Sequence, residues 1–255
     1  MPPVRPPAGP PPPTLAGRLA LRERPARSAA GYQRWNRLLF AHWEVAPEAI
    51  QATLPPGLHV DEHHGRAYLG VVPFFMERVR PAFLPPVPWI SWFLELNVRT
   101  YVYDDAGRPG VWFYSLDCNQ PVAVALARRF FHLPYEHARL RARCTDRGVD
   151  YVCRRRTPDA PEVRYAWCDD DAAHAAEPGS LEFFLVERYL LFSADRCGRH
   201  YSGQVHHAPY RIRRPDVAAC SAGPVRQAGF AVPDGPCSLL AADGVDVTIF
   251  PLQPV

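Results

Sequence analysis

Hydrophobic and polar side chains alternate most regularly between Trp92 and Val102. Leu94, Leu96, Val98 and Val102 fall on one face of an extended strand, and Glu95, Asn97, Arg99 and Tyr101 on the other. A turn-forming run from Asp104 to Gly110 follows, and the segment up to Asp117 continues as a second strand, so a hairpin is predicted. From Cys118 to Tyr135 the pattern changes to a short helix that delivers His132-Leu133-Pro134-Tyr135 to wherever the strands point. One face of the first strand is core. The other holds an acid, an amide, a guanidinium and a phenol, and is either the wet side of an antiparallel sheet or the lining of a cavity.

The rest of the chain reads as short strands with a few helices. A short helix with Pro47 and Glu48 in its first turn ends at Pro55-Pro56-Gly57. Gly65 to Phe75 is a strand whose Pro73 suggests an edge or a bulge. A proline-rich loop crosses from Pro81 to Pro88. His137–Cys144 and Val149–Arg156 flank a Thr145-Asp146-Arg147-Gly148 turn, and Glu162–Cys168 adds a third strand to that meander. Asp169-Asp170-Asp171 opens a solvated acidic loop, without the spaced ligands and glycine of a calcium site. A helix capped by Ser180 is predicted over Leu181–Phe192, and His200–His206 and Val245–Pro251 are further strands. The fold class is therefore α+β, mostly β, with too few helices for a doubly wound sheet. Residues 1–28 are Pro/Arg-rich and predicted to be a disordered tail, leaving residues 29–255 as a single domain.

Composition narrows the chemistry. No apolar run is long enough to span a bilayer and the N-terminus lacks a signal-peptide core, so a soluble, cytoplasmic protein without a membrane partner is expected. Seven cysteines without a CxxC pair suggest reduced thiols rather than disulfides or zinc. The net charge of +3 is spread along the chain and does not interleave with aromatics, which argues against nucleic acid. All 29 basic residues are arginine. A guanidinium cannot form a Schiff base, so lysine-based covalent catalysis is excluded. Ser115 lacks a glycine elbow, which argues against a serine hydrolase. Adjacent His206 and His207 cannot both face one site from a strand, and neither a metal nor a cofactor is implied. His42 reads as a satisfied, half-buried histidine beside Trp43, and His206 as the residue holding the loop into Pro209-Tyr210. Glu187 and Arg188 are read as tying their helix to the sheet.

The segments LLFAHWEV (38–45), LPPGLHVDEHHGRAYLGVVPF (54–74), ELNVRTYV (95–102), GVWFYSLD (110–117), ARRFFHLPY (127–135), GSLEFFLVERY (179–189) and GQVHHAPY (203–210), in this order, resemble the DUF2071 (YqjF-like) family. That family's fold is similar to acetoacetate decarboxylase, which implies an open or cone-shaped antiparallel β-barrel with a few short helices around a central cavity. The chain departs from the family pattern at Leu240-Ala241-Ala242-Asp243, where a His-Tyr-Ser element is expected. The more distant resemblance to acetoacetate decarboxylases sets Tyr135 where their Schiff-base lysine sits, Glu136 at the second lysine, and Glu95 at an acidic residue within reach. It tips the polar face of the 92–102 strand towards a cavity lining.

Within that cavity Arg99 would clamp a carboxylate with its planar fork, or else pair with Glu95 or Asp117 across strands. Glu95 would be a general base if burial lifts its pKa, or else a structural partner of Arg99. Tyr135 would donate to a developing enolate oxygen, or else only pack. Asn97 and Tyr101 complete the substrate-binding set. The expected function is acid/base chemistry, without a Schiff base, on a small oxo or carboxylated molecule, of lyase or isomerase type. The alternative is a non-catalytic protein that binds such molecules. The sequence leaves the oligomeric state open.

Overall fold

The computed structural model describes residues 10–145, 148–168 and 171–255. The turn read at Asp146-Arg147, the acidic pair Asp169-Asp170 and the first nine residues of the predicted tail lie outside the described residues. In chain order, α1 (Leu15–Ala20) precedes β1 (Gly31–Asn36), β2 (Leu38–Val45), α2 (Pro47–Gln51), β3 (Leu58–Val60), β4 (Ala67–Pro81), β5 (Phe93–Asp104) and β6 (Pro109–Cys118). Next come α3 (Pro121–Phe130), β7 (Tyr135–Thr145), β8 (Gly148–Arg155), β9 (Val163–Cys168), β10 (His174–Ala175) and α4 (Leu181–Val186). The chain continues through β11 (Leu190–Ala194), β12 (His200–His206), β13 (Arg211–Arg213), β14 (Asp216–Ala219), α5 (Gly223–Gln227), β15 (Ser238–Ala242), β16 (Val245–Ile249) and β17 (Gln253–Pro254). Among the described residues no helix is long and apolar enough to cross a membrane.

Seven strands close into a ring, β4 to β5 to β6 to β11 to β12 to β16 to β1 and back to β4. All of these pairings are antiparallel except β6 with β11, where Leu191 and Phe192 lie beside Val111 and Trp112. A second parallel pairing joins β6 to β7 through the crossover helix α3. From β7 an antiparallel sheet continues through β8 and β9, as the meander pattern predicts, and then to β14, which it does not. Among the described residues two large apolar cores result, with a small third cluster of Leu58, Val102, Leu190 and Phe192. One lies on the inner side of the ring, with Phe40, Val72, Phe74, Tyr101, Leu116, Phe184 and Tyr210 among others. The second lies outside it, where Leu39, Ala41, Val71, Leu96 and Val98 meet Leu140, Tyr151 and Tyr165 of the β7–β9 sheet. Strand β5 is thus buried on both faces, which excludes the wet-side reading of its polar residues.

Three expectations are corrected. The helix predicted over Leu181–Phe192 stops at Val186, and Leu190–Ala194 is strand β11. The apolar spacing suits a helix, yet the ring needs a strand between β6 and β12, and pairing on both sides overrides local propensity. Pro73 lies in the middle of β4, not at an edge or in a bulge: β2 covers Ala67 to Val71 and β1 covers Phe75 to Pro81, so the prolyl nitrogen falls at the switch between neighbours. Third, the described part of the predicted 1–28 tail is not free chain. Thr14 caps α1 by accepting from Gly17 N, and Arg18 makes two hydrogen bonds to Asp61 (2.6 and 2.7 Å). Arg22 lies 3.2 Å from the Glu187 carboxylate, and the guanidinium groups of Arg24 and Arg27 sit over Phe250. Composition predicts little apolar burial there, but four arginines find acids and ring faces on the folded body.

Candidate functional site

Strand β5 keeps its alternation against β4 without interruption from Phe93 to Thr100. The extra residue of a bulge is taken by β6, where Val98 faces Ser115 but Arg99 faces Phe113. Glu95, Asn97, Arg99 and Tyr101 therefore stay on the inner face of the ring. The structure gathers these residues into two clusters along the strand.

The first cluster is Glu95, Asn97 and Tyr135. Glu95 lies beside Cys118 in register, and the parallel β6–β7 pairing sets Tyr135 beside Leu116. Arg128 of α3 pins the start of β7 by donating to the Tyr135 carbonyl (2.6 Å). The Tyr135 hydroxyl then donates to Glu95 Oε2 at 2.7 Å, and Asn97 hydrogen-bonds the same carboxyl. Tyr151, reaching in from the outer sheet, donates to the Glu95 backbone carbonyl at 2.9 Å. Glu95 is only 3% exposed, and burial raises its pKa to about 7 against the hydrogen bonds from Tyr135 and Asn97, with Asp117 adding a smaller upward push. Burial and the adjacent Glu95 hold the Tyr135 phenol well above its usual range, so it keeps its proton. A carboxyl that titrates near neutrality beside a proton-bearing phenol has the pKa match that proton transfer requires.

The second cluster is Arg99, Tyr101 and His42. Arg99 Nη2 (3.1 Å) and the Tyr101 hydroxyl (2.7 Å) both donate to the Leu185 carbonyl, near the end of α4, where helical carbonyls lack intrahelical partners. The guanidinium also lies over the rings of Phe40 and Tyr101. His42 Nε2 is 2.7 Å from the Tyr101 hydroxyl. That hydroxyl's proton goes to Leu185, so His42 donates from Nε2 and its Nδ1 holds an unpartnered lone pair. Burial, with Arg99 nearby, lowers the His42 pKa well below the usual value. Gly70 makes this arrangement possible. It sits between His42 and Arg99 in register, and a Cβ there would lie 3.1 Å from His42 Cδ2 and 3.3 Å from the Tyr101 hydroxyl.

Neither ion pair considered for Arg99 forms. Asp117 is taken by Arg155 (2.7 Å), and among the described residues no carboxylate lies within ion-pair distance of the Arg99 guanidinium. Its Nε, like Asn97 Oδ1 between the two clusters, is buried without a partner.

A third polar group closes one side of the ring interior. Glu187 accepts from Tyr210 N (2.9 Å) and from the Tyr189 hydroxyl, while Arg188 donates to Asp61 (2.6 Å), so both residues tie α4 to the sheets as expected. His207, not His206, holds the loop into Tyr210. Its Nδ1 bonds the Ala208 carbonyl at 2.8 Å and its ring stacks on Tyr189. The odd position of the pair is the one whose side chain turns inward once the strand ends at His206. Burial lowers the His207 pKa to about 4. Among the described residues no three acidic, histidine or cysteine side chains gather to hold a metal ion. Sequence reasoning read His42 as a satisfied, half-buried histidine, whereas it is fully buried with Nδ1 unpartnered, and left out Gly70 and the Leu185 carbonyl. Gly70 amid the apolar run Tyr68 to Val72 was the available signal for a close approach.

The model of the DUF2071 family, described as an uncharacterized conserved protein, matches residues 32–246. The uncharacterized protein YqjF of Bacillus subtilis (strain 168) is 36% identical over 222 residues, covering 87% of this chain and 90% of that one. Acetoacetate decarboxylase from Legionella pneumophila subsp. pneumophila str. Philadelphia 1 superposes with a TM-score of 0.62 at 13% identity, covering 91% of this chain and 92% of that one. The enduracididine biosynthesis enzyme MppR complexed with pyruvate gives 0.59 at 13% identity, over 91% and 93% of the two chains. At such identities the likeness is one of fold. The chain thus belongs to the DUF2071 family and has the fold of acetoacetate decarboxylase-like enzymes.

Proposed function

We propose that the inner face of β5 binds a small oxo acid and moves protons on it without a covalent intermediate. The observation that carries this reading is Arg99, a half-buried cation whose buried Nε–H has no hydrogen-bond partner and which has no carboxylate partner among the described residues. A ligand carboxylate would satisfy it with charge-assisted hydrogen bonds. Asn97 Oδ1, two positions along the strand, can accept from the hydroxyl of the ligand's enol form. Glu95 in its ionised form takes a proton from the carbon next to the ligand carbonyl, and the C–H electron pair moves onto the carbonyl oxygen. Once Glu95 is protonated it no longer needs the Tyr135 hydrogen bond, so that phenol turns to the enolate oxygen. Returning the proton to another atom is an isomerisation. Loss of carbon dioxide from a 3-oxo acid, with Glu95 or Tyr135 protonating the enolate, is a lyase reaction. One fold neighbour holds pyruvate, which makes oxo acids the first ligands to try.

The second reading, a non-catalytic binding protein, draws on the absence of lysine and on the way Glu95 and Tyr135 already satisfy each other. Thermal-shift titration with pyruvate and acetoacetate tests the shared part. An acid at about 100 times its dissociation constant adds roughly 2.7 kcal/mol to wild type. The Arg99→Met variant should lose most of that response, since Met keeps the packing over Phe40 without the donors. An acid that stabilises both proteins equally would remove Arg99 from the site.

A further inference from the structure

Away from the ring interior, two segments leave large apolar side chains in water. Helix α3 buries Val124 on its inner face, yet Val122, Leu126 and Phe130, spaced four apart, are 42%, 51% and 62% exposed on its outer face. A helix that is apolar on both faces is ordinarily covered on both. The loop between β4 and β5 adds Phe83 at 82%, Trp89 at 75%, and Leu84, Val87 and Trp92 each more than two-fifths exposed. The segments abut. Gln120, the α3 N-cap, donates from Nε2 to the Trp89 carbonyl (2.8 Å), and Asn119 Oδ1 accepts from Leu94 N (2.9 Å).

The loop is also stiff. Ser91 and Val87 hydrogen-bond each other twice (2.8 and 3.0 Å), and Trp89 is held at φ +56°, a conformation that bulky residues seldom adopt. A Trp fixed in a strained loop with its side chain in solvent is presented for contact, because fixing it in advance reduces the ordering cost of association.

We propose that this face docks against the same face of a second copy of this chain, making a two-fold dimer. The area agrees: the eight exposed side chains offer on the order of 800 Å², about one partner's share of a standard interface and more than the roughly 300–600 Å² patch that monomers usually expose. Charge agrees as well. Neither segment carries an acidic residue, and its arginines sit at one end, Arg128 and Arg129 in the last turn of α3. A two-fold axis through the middle of α3 runs the helices antiparallel, which offsets these arginines from their copies by about 9 Å along the helix instead of stacking them. An anionic membrane surface fits less well, since most of the nearby basic groups are engaged: Arg128 with Glu136, Arg78 with Asp246, and Arg80 over the Tyr32 ring.

Sedimentation velocity on the full chain at micromolar concentrations tests the proposal. Wild type should run at about 57 kDa, twice the 28.7 kDa chain. Leu126→Glu and Trp89→Ser, at exposed positions, should each weaken self-association at least ~100-fold while leaving the far-UV spectrum unchanged. A monomeric wild type, or a dimer indifferent to both substitutions, overturns the proposal. So does a monomer that sediments with phosphatidylserine vesicles through Trp89.

Discussion

Replacing Glu95 by glutamine should make the protein more stable above neutral pH. The buried carboxyl has a folded pKa of about 7 against 4.5 for an unstrained glutamate. Between those values the folded state binds the proton more tightly than the unfolded state, so stability falls as pH rises from about 4.5 to 7 and the loss is complete above the folded value. A gap of that size corresponds to about 3 kcal/mol. Glutamine is never charged and its oxygen accepts the Tyr135 hydrogen bond in the same geometry, so the variant escapes the penalty. Urea unfolding of both proteins at pH 4.5, 6 and 8 should give equal stability at the lowest pH and a widening advantage for Glu95→Gln. An advantage that does not change with pH would mean that Glu95 titrates as an ordinary carboxyl and is no base near neutrality.

Deleting residues 1–28 should lower the melting temperature by roughly 5–15 °C. Arg18 and Arg22 each make a charge-assisted contact with a buried acid, Asp61 and Glu187, and such hydrogen bonds contribute about 1.5–3 kcal/mol. Asp61 keeps Arg188 after the deletion, which limits its loss, whereas Glu187 keeps only neutral donors. For a chain of this size each kcal/mol moves the transition by about 2–4 °C. The segment also bears on the site. It rests against Phe183, Phe184 and Glu187, in and just after the short helix whose Leu185 carbonyl holds Arg99 and Tyr101. A truncated protein that melts within a degree of the full chain would show that these contacts contribute nothing.

The period-two pattern of β5 was legible because it belongs to the strand itself. It singled out Glu95, Asn97, Arg99 and Tyr101, and the structure sets all four on one inner face. The hydrogen-bond partners of that face were not legible. Tyr101 and Arg99 meet a carbonyl some 84 and 86 positions away, and His42 reaches Tyr101 only because Gly70 leaves room between them. The Tyr135–Glu95 pair was suggested by family resemblance; the residues alone left Tyr135 as either donor or packing. Strand β11 and the docked N-terminal segment were missed for one reason. Both depend on what the chain pairs with after it closes, a ring gap in one case and two buried acids in the other, and local composition points the opposite way in each.

A Glu95 base acting on an oxo acid held by Arg99 would leave a direct signature on that acid. The most direct test follows hydrogen exchange by NMR at the carbon next to the carbonyl, with pyruvate or acetoacetate and the protein in deuterated buffer near pH 7.5. Wild type should exchange those hydrogens faster than buffer, and at least ~100 times faster than Glu95→Gln. Exchange no faster than buffer with either acid, or equally fast with Glu95→Gln, would contradict the assignment.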